Sequence, residues 1–166
     1  MSMRNKTRLV LVLNLLLTAS WSRAAEDILK LVPESALGFV VVNRPGAADA
    51  KLQELGRQMQ LPVPSLLAKL KAEGGMREGL DEKGTAALLV LPPEGDSAKP
   101  TVLLLIPVTD FGKFVQHLKP EDAAAEVTKI EFLGAQSWVR SIGGYAAMTD
   151  APHREALAKT LKLSKE

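Results

Sequence analysis

The stretches Thr85-Ala-Ala-Leu-Leu-Val-Leu91 and Thr101-Val-Leu-Leu-Leu-Ile-Pro-Val108 decide the fold, and they flank the segment Pro92 to Pro100. Each stretch has the length of a strand and is made almost entirely of aliphatic residues. The segment between them holds Pro, Gly, Asp and Ser, which are the residues that form turns. The sequence therefore predicts a β-hairpin with an exposed and mobile loop.

A third apolar stretch, Leu37 to Asn43, precedes the hairpin and is bounded by turn residues on both sides. It contains β-branched and aromatic residues with almost no polar face, a pattern typical of a strand that is buried on both sides. We therefore expect a central strand here, covered on both sides or on one side plus a neighbour.

Two helices are predicted between this strand and the hairpin. Asp49 is a candidate N-cap for the first helix and Ser65 for the second, and Gly74-Gly75 is the expected C-terminal stop. The apolar positions that recur at helical spacing are Leu52, Leu55 and Met59 in the first helix and Leu66, Leu67 and Leu70 in the second.

After the hairpin, Thr109-Asp110 is expected to cap a helix that carries Phe111 and Phe114 into the core. Three strands and a final helix, capped by Thr149-Asp150, complete the chain. The strands are predicted at Val127–Phe132, Ser137–Ile142 and Tyr145–Met148. This order, β-α-α-β-β-α-β-β-β-α, predicts an α+β fold, a mainly antiparallel sheet with helices packed on one face.

The first residues of the chain have the pattern of an export leader. Three basic residues precede the apolar run Leu9 to Leu17, and small residues stand at Ser22 and Ala24. This pattern predicts a signal peptide over residues 1–24, cleavage between Ala24 and Ala25, and a single α+β domain over 25–166. Export places the protein in the periplasm or outside the cell.

Two other interpretations of the leader fit these residues less well. A retained membrane anchor needs about 20 consecutive apolar residues, and here Asn14 interrupts the run and Arg23 closes it early. A lipid anchor needs a cysteine at the cleavage point, and the chain contains none. We therefore expect contact with the membrane only in transit, through the leader.

The charge of the chain argues against nucleic acid as a partner. The leader contains four basic residues and no acidic one, so its removal changes the formal net charge from +2 to −2. The remaining charges alternate in sign and form no basic stripe. Without cysteine, the exported domain has to be held together by its hydrophobic core alone.

No motif in the sequence identifies a catalytic, cofactor or metal site. His117 and His153 are the only histidines and lack the spacing of a zinc site, so we interpret both as solvent-facing helix residues. Asp110-Phe111-Gly112 matches a kinase tripeptide without the rest of that signature, and we interpret it as a helix cap. Glu121-Asp122 is interpreted as a solvated turn, and Glu94-Gly95-Asp96 lacks the other ligands of a calcium loop.

Three stretches carry a resemblance to a known family: Leu31-Val-Pro-x-x-Ala-Leu-Gly-Phe-Val-Val-Val42, residues 103–111 and residues 143–150. Together with the leader they resemble a family of exported bacterial proteins of unknown function, built from tandem α+β units behind a signal peptide. This chain is similar to the first unit, over Ile28 to Lys162. The resemblance implies an α+β fold and export from the cytoplasm, but no catalytic residue. Because family members contain tandem units, it also implies that a partner protein could supply the second unit.

Two classes of function remain open. The first is a non-catalytic interaction or scaffold domain of the cell envelope, which binds a protein partner or associates with itself through an edge strand or the Pro92 to Pro100 loop. The second is a small-ligand binder or enzyme whose site is assembled only in three dimensions, for which the candidate residues are Asp110, His117, Arg140 and His153. A concave pocket that contains two or more of these four residues would favour the second class.

The leader generates a direct prediction. The intact mass of the native protein from fractionated cells is expected to match a chain that begins at Ala25, recovered in the soluble envelope fraction or the medium. An uncut chain in the membrane pellet would instead identify Leu9 to Ala19 as an anchor, and an uncut soluble chain would contradict export.

Overall fold

Six antiparallel strands form one sheet in the computed structural model, which describes residues 28–93 and 99–159. The order across the sheet is β1-β2-β3-β6-β5-β4, and every neighbouring pair is antiparallel. The predicted signal peptide, its cleavage site at Ala24 and Ala25, and residues 94–98 of the hairpin loop lie outside the described residues. The strands are β1 Gly38–Asn43, β2 Thr85–Leu91, β3 Thr101–Pro107, β4 Val127–Phe132, β5 Ala135–Ile142 and β6 Tyr145–Asp150.

Within the described residues four helices accompany the sheet, and the α+β class predicted from the sequence is confirmed. They are α1 Pro45–Gln58, α2 Leu66–Glu73, α3 Phe111–Gln116 and α4 Arg154–Lys159, the last preceded by a 3₁₀ turn over Ala151–His153. Side chains from α1, α2 and α3 lie over the sheet face that carries Ile106 and Met148, here called the α3 face. Helix α4 packs on the opposite face, the α4 face, and so departs from the expected one-sided arrangement.

The two faces of the sheet have separate hydrophobic cores. On the α4 face, Leu157 of α4 and the turn that begins at Ile28 pack on the middle strands. On the α3 face, the fully buried Phe114 of α3 packs on the central and β4-side strands. Burial of each large aliphatic or aromatic side chain contributes about 1.5–3 kcal/mol. Two-sided burial also explains the apolar sequence of β6, in which Tyr145 to Thr149 are all buried.

The prediction that the first strand is central is wrong, because β1 is an edge strand paired only with β2 among the described residues. Phe39 is 50% exposed and Val40 is 59% exposed, on opposite faces of the strand. The sequence pattern indicated apolar side chains on both faces of β1, but it could not show that the described residues leave Phe39 and Val40 at least half exposed.

The capping prediction for the first helix is also wrong. Helix α1 begins at Pro45, which suits the first turn because proline has no N–H to leave unpaired, and its N-cap is Arg44. Asp49 lies inside α1. The predicted caps of the next two helices are confirmed: Ser65 Oγ accepts a hydrogen bond from the Ala68 N–H, and Asp110 Oδ1 accepts one from the Lys113 N–H.

Gly56 is the position at which α1 and the chain returning toward α2 approach most closely. It is the one buried residue of α1. A Cβ atom placed on Gly56 would lie 2.6 Å from Val63 Cγ2 and 3.0 Å from the Leu61 carbonyl oxygen. The segment Leu61 to Val63 can therefore pack against α1 only because Gly56 has no side chain.

We expect Gly56→Ala to destabilise the domain by about 1 kcal/mol or more, although alanine ordinarily stabilises a helix by about that amount. The matched control is Gly112→Ala in α3, where only Asp110 Oδ1 lies near the added Cβ, at 3.4 Å. Gly112→Ala should be neutral or stabilising. Urea unfolding of both variants tests this, and a stabilised Gly56→Ala variant would contradict the close contact.

Candidate functional site

The structure does not bring the four candidate catalytic residues together. Asp110 and His117 stand at opposite ends of the short helix α3, about 10 Å apart at the rise of an α-helix. Asp110 is occupied as the helix cap. His117 is exposed, as expected, and its Nε2 lies 3.9 Å from Glu78 Oε1.

His153 differs from its predicted solvent-facing position, because its side chain is buried. Its Nδ1 lies 2.5 Å from Asp150 Oδ1. The two residues are three apart in a 3₁₀ turn, in which side chains at that spacing lie one above the other. The contact therefore fixes the turn that leads into α4.

Arg140 also has a structural role. One guanidinium nitrogen donates a hydrogen bond of 2.7 Å to the Leu157 carbonyl oxygen, and the other donates one of 2.7 Å to Glu126 Oε1. The last carbonyl groups of a helix have no partner within it, and a cation there is favourable. Arg140 thus binds the end of α4 to the sheet.

The acidic candidates give no site either. Asp122 Oδ1 accepts a hydrogen bond from the Ala124 N–H, the solvated turn expected from the sequence, whereas Glu94 and Asp96 lie outside the described residues. Within residues 28–93 and 99–159, no group of three or more His, Cys, Asp or Glu side chains could hold a metal ion. A shallow polar depression on β4 contains Lys119, Lys129, Glu121 and Glu131, whose charges balance.

The strongest candidate site is an apolar groove on the α3 face, with a volume of about 480 Å³. Its floor is the bare part of β1, β2 and β3, and its walls are α2 on one side and the turn between β4 and β5 on the other. None of the four candidate catalytic residues lines it. The floor includes Val40, Val42, Ala86, Ala87, Leu88, Leu104, Leu105, Ile106 and Pro107, and the walls include Pro45, Leu67, Leu70, Met76, Leu80, Phe132 and Leu133.

The groove exists because the short helix α3 covers only part of the sheet. Leu88 and Val40 project from adjacent strands on the α3 face, where Val40 pairs with Leu88 in the β1–β2 register. Leu88 remains 36% exposed and Leu133, on the opposite wall, 49% exposed. Sequence reasoning missed these residues, because an apolar strand residue has the same pattern whether its face is covered or open.

Helix α2 is held in place as a groove wall by the Asp49 carboxylate of α1. Asp49 accepts hydrogen bonds from the Leu66 N–H at 2.8 Å, the Leu67 N–H at 3.3 Å and the Ser65 hydroxyl at 2.6 Å. The hydrogen bond from Ser65, together with those from the two backbone N–H groups and Gln53, lowers the pKa of Asp49 below its ordinary value despite the opposing effect of desolvation. An ion pair between Lys71 and Glu82 also joins α2 to the loop before β2.

The chemistry of the groove is purely apolar. Every residue that lines it has an aliphatic, aromatic, thioether or proline side chain, so the lining offers no ionisable group and no nucleophile. Such a surface cannot transfer protons or form a covalent intermediate through its side chains. It can bind by removing apolar area from water, at about 25 cal/mol per Å².

No protein-family model, curated protein or solved structure matches this chain. The resemblance to an exported family therefore stays a prediction. In the part of the chain that the structure describes, no helix has both the length and the apolar character required to cross a bilayer.

Replacement of Asp49 tests how α2 is held. We expect Asp49→Ala to lower the free energy of unfolding by about 1 kcal/mol at neutral pH, the typical effect of a lost N-cap. Because the folded state lowers the pKa of Asp49, its contribution is present above the ordinary pKa and is lost as the pH falls through the folded value. The difference between the variant and the unaltered chain in urea unfolding should therefore shrink as the pH falls below the ordinary pKa of aspartate, about 3.9.

The control is Glu54→Ala on the same helix, which removes an exposed ion pair with Arg57 and an exposed hydrogen bond from Gln58 Nε2. Such pairs contribute about 0–1 kcal/mol, so this variant should differ little from the unaltered chain. Equal effects of the two substitutions, or a difference for Asp49→Ala that does not change with pH, would contradict the capping role.

Proposed function

We propose that this chain is an exported, non-catalytic interaction domain of the bacterial cell envelope, and that it binds an amphipathic helix of a protein partner in the apolar groove. The observation that carries the proposal is the lining of the groove, which is apolar throughout and partly exposed. Contiguous exposed apolar surface on a soluble domain marks a site of interaction. The leader over residues 1–24 supports the envelope address.

A helix fits this surface better than an extended peptide. The groove floor is the face of a sheet, and its apolar side chains offer no partners to the backbone of a bound strand. A helix satisfies its own backbone hydrogen bonds and presents only side chains. Its diameter of about 10–12 Å also matches the width of three strands, about 10 Å between the outer two.

The enzyme interpretation has less support. Asp110, Arg140 and His153 make structural hydrogen bonds, and His117 lies at the exposed end of α3. A small apolar ligand is a second candidate for the groove, because a volume of about 480 Å³ lies within the range of small-molecule sites, about 300–1,000 Å³.

Photo-crosslinking separates these candidates. A photoreactive amino acid would replace Leu88 in the groove floor and, as a matched control, Val102, which lies on the same face and is 43% exposed but does not line the groove. In cells that express the chain, position 88 should crosslink to a helical segment of one defined protein, identified by mass spectrometry, and position 102 should not.

Two outcomes would contradict the proposed function. An adduct of small-molecule mass at position 88 would favour the ligand-binding alternative. Equal crosslinking at positions 88 and 102 would indicate that the groove is not a specific binding surface. In the first case, Leu88→Glu should also abolish binding of that ligand, whereas Val102→Glu should leave it unchanged.

A further inference from the structure

The two edge strands of the sheet, β4 and β1, differ in how far their outer backbone groups are covered. The outer edge of β4 is covered by the segment that follows α3: the Glu131 N–H donates to the Leu118 carbonyl oxygen, and the Glu121 N–H donates to the Lys129 carbonyl oxygen, both at 2.9 Å. Lys129 and Glu131 also place charges in this strand. Covering segments and charges are the usual means by which proteins prevent an edge from pairing with another chain.

The outer edge of β1 has neither form of protection within the described residues. The Arg44 N–H donates to the Gly84 carbonyl oxygen at 2.8 Å. Because inward and outward backbone groups alternate in an antiparallel ladder, the N–H and C=O groups of Phe39, Val41 and Asn43 point away from β2. None of residues 28–93 and 99–159 forms a backbone hydrogen bond with the outward groups of Phe39 or Val41.

The sequence of β1 is suited to pairing. Gly38–Asn43 contains no charged residue, no proline and no positive φ angle that would mark a distortion. Phe39 on one face, and Val40 and Val42 on the other, are substantially exposed. An apolar, undistorted and unpaired edge strand is a template for another strand.

We propose that β1 pairs with β1 of a second copy of this chain, antiparallel and about a two-fold axis at Val41, so that two sheets become one. This register places Val41 opposite Val41, and Phe39 opposite Asn43 of the second copy. All the outward backbone groups of these residues then form hydrogen-bonded pairs. The proposal rests on the backbone edge and does not depend on what occupies the groove.

A second copy fits this edge because the strand is complementary to itself. On the α3 face, Val40 lies beside Val42 of the second copy, and the same contact is repeated across the axis. These valines belong to the groove floor, so the two apolar grooves become continuous. Arg44 lies opposite Gly38 of the second copy. Gly38 has open space beside it, because no heavy atom lies within 4 Å of a Cβ atom added there. No two charges of the same sign face each other in this register. An interface of this kind closes on itself and forms dimers, not fibres.

The test uses the purified protein in the form recovered from cells; its sequence contains no cysteine, so a single cysteine can be introduced at a chosen position. In Val41→Cys, the two new thiols lie in a hydrogen-bonded pair with Cα atoms about 5.5 Å apart, within the range of a disulfide. Mild oxidation should convert most of this variant to a covalent dimer. Val102→Cys, exposed but away from the edge, should remain largely monomeric.

A second variant, Val41→Pro, removes only an outward N–H, and proline is tolerated in edge strands. Sedimentation over a roughly hundredfold range of concentration should show a dimer of the unaltered chain and at least roughly tenfold weaker dimerisation of Val41→Pro. Urea unfolding checks that this variant remains folded, and the crosslinking result stands independently if it does not.

Three outcomes would overturn the proposal. One is a protein that stays monomeric at every concentration and whose two cysteine variants oxidise equally. This result would overturn the proposal whether residues 1–27 cover the edge or leave it free. Another is a dimer that Val41→Pro does not weaken while it stays folded, which would place the interface elsewhere. A third is a monomer that pairs through β1 only with a strand of a different protein.

Discussion

Within the described residues, four helices, three of them only six to eight residues long, lie on the two faces of a six-stranded sheet, and this limited cover determines most of what is distinctive in the structure. Six strands span about 24 Å between the outermost two. Helix α3, with six residues, is about 9 Å long. It packs on β4, β5, β6 and Ile106 of β3, and it does not reach β1, β2 or the rest of that face of β3. The apolar groove is the uncovered remainder.

The apolar residues of the groove floor therefore differ from those of the core in their exposure to water. Leu89 and Leu88 are neighbours in β2, yet Leu89 is fully buried on the α4 face and Leu88 is partly exposed on the α3 face. The water-exposed area of aliphatic side chains gives no stability by burial, and a contiguous group of such side chains is typical of an interaction surface. A helix laid on the groove would complete the missing layer.

The polar groups identified as possible catalysts are used to hold the short helices in place. Asp110 caps α3, Arg140 binds the end of α4, and the contact between His153 and Asp150 fixes the turn before α4. Asp49 acts in the same way between α1 and α2. Short helices have a large share of unpaired terminal groups, so a fold built from them needs such side chains.

The sequence by itself determined the order and type of the elements, the hairpin and the caps at Ser65 and Asp110, because turn chemistry and local periodicity are properties of neighbouring residues. Its leader and its resemblance to an exported family remain predictions. Only the tertiary structure decided that β1 lies at an edge, that His153 is buried, that Asp49 caps α2 and that α4 crosses to the other face. Each of these depends on contacts between residues distant in the chain or on which elements cover a surface. The sequence cannot show this, because an apolar residue gives the same pattern whether or not another element covers its side chain.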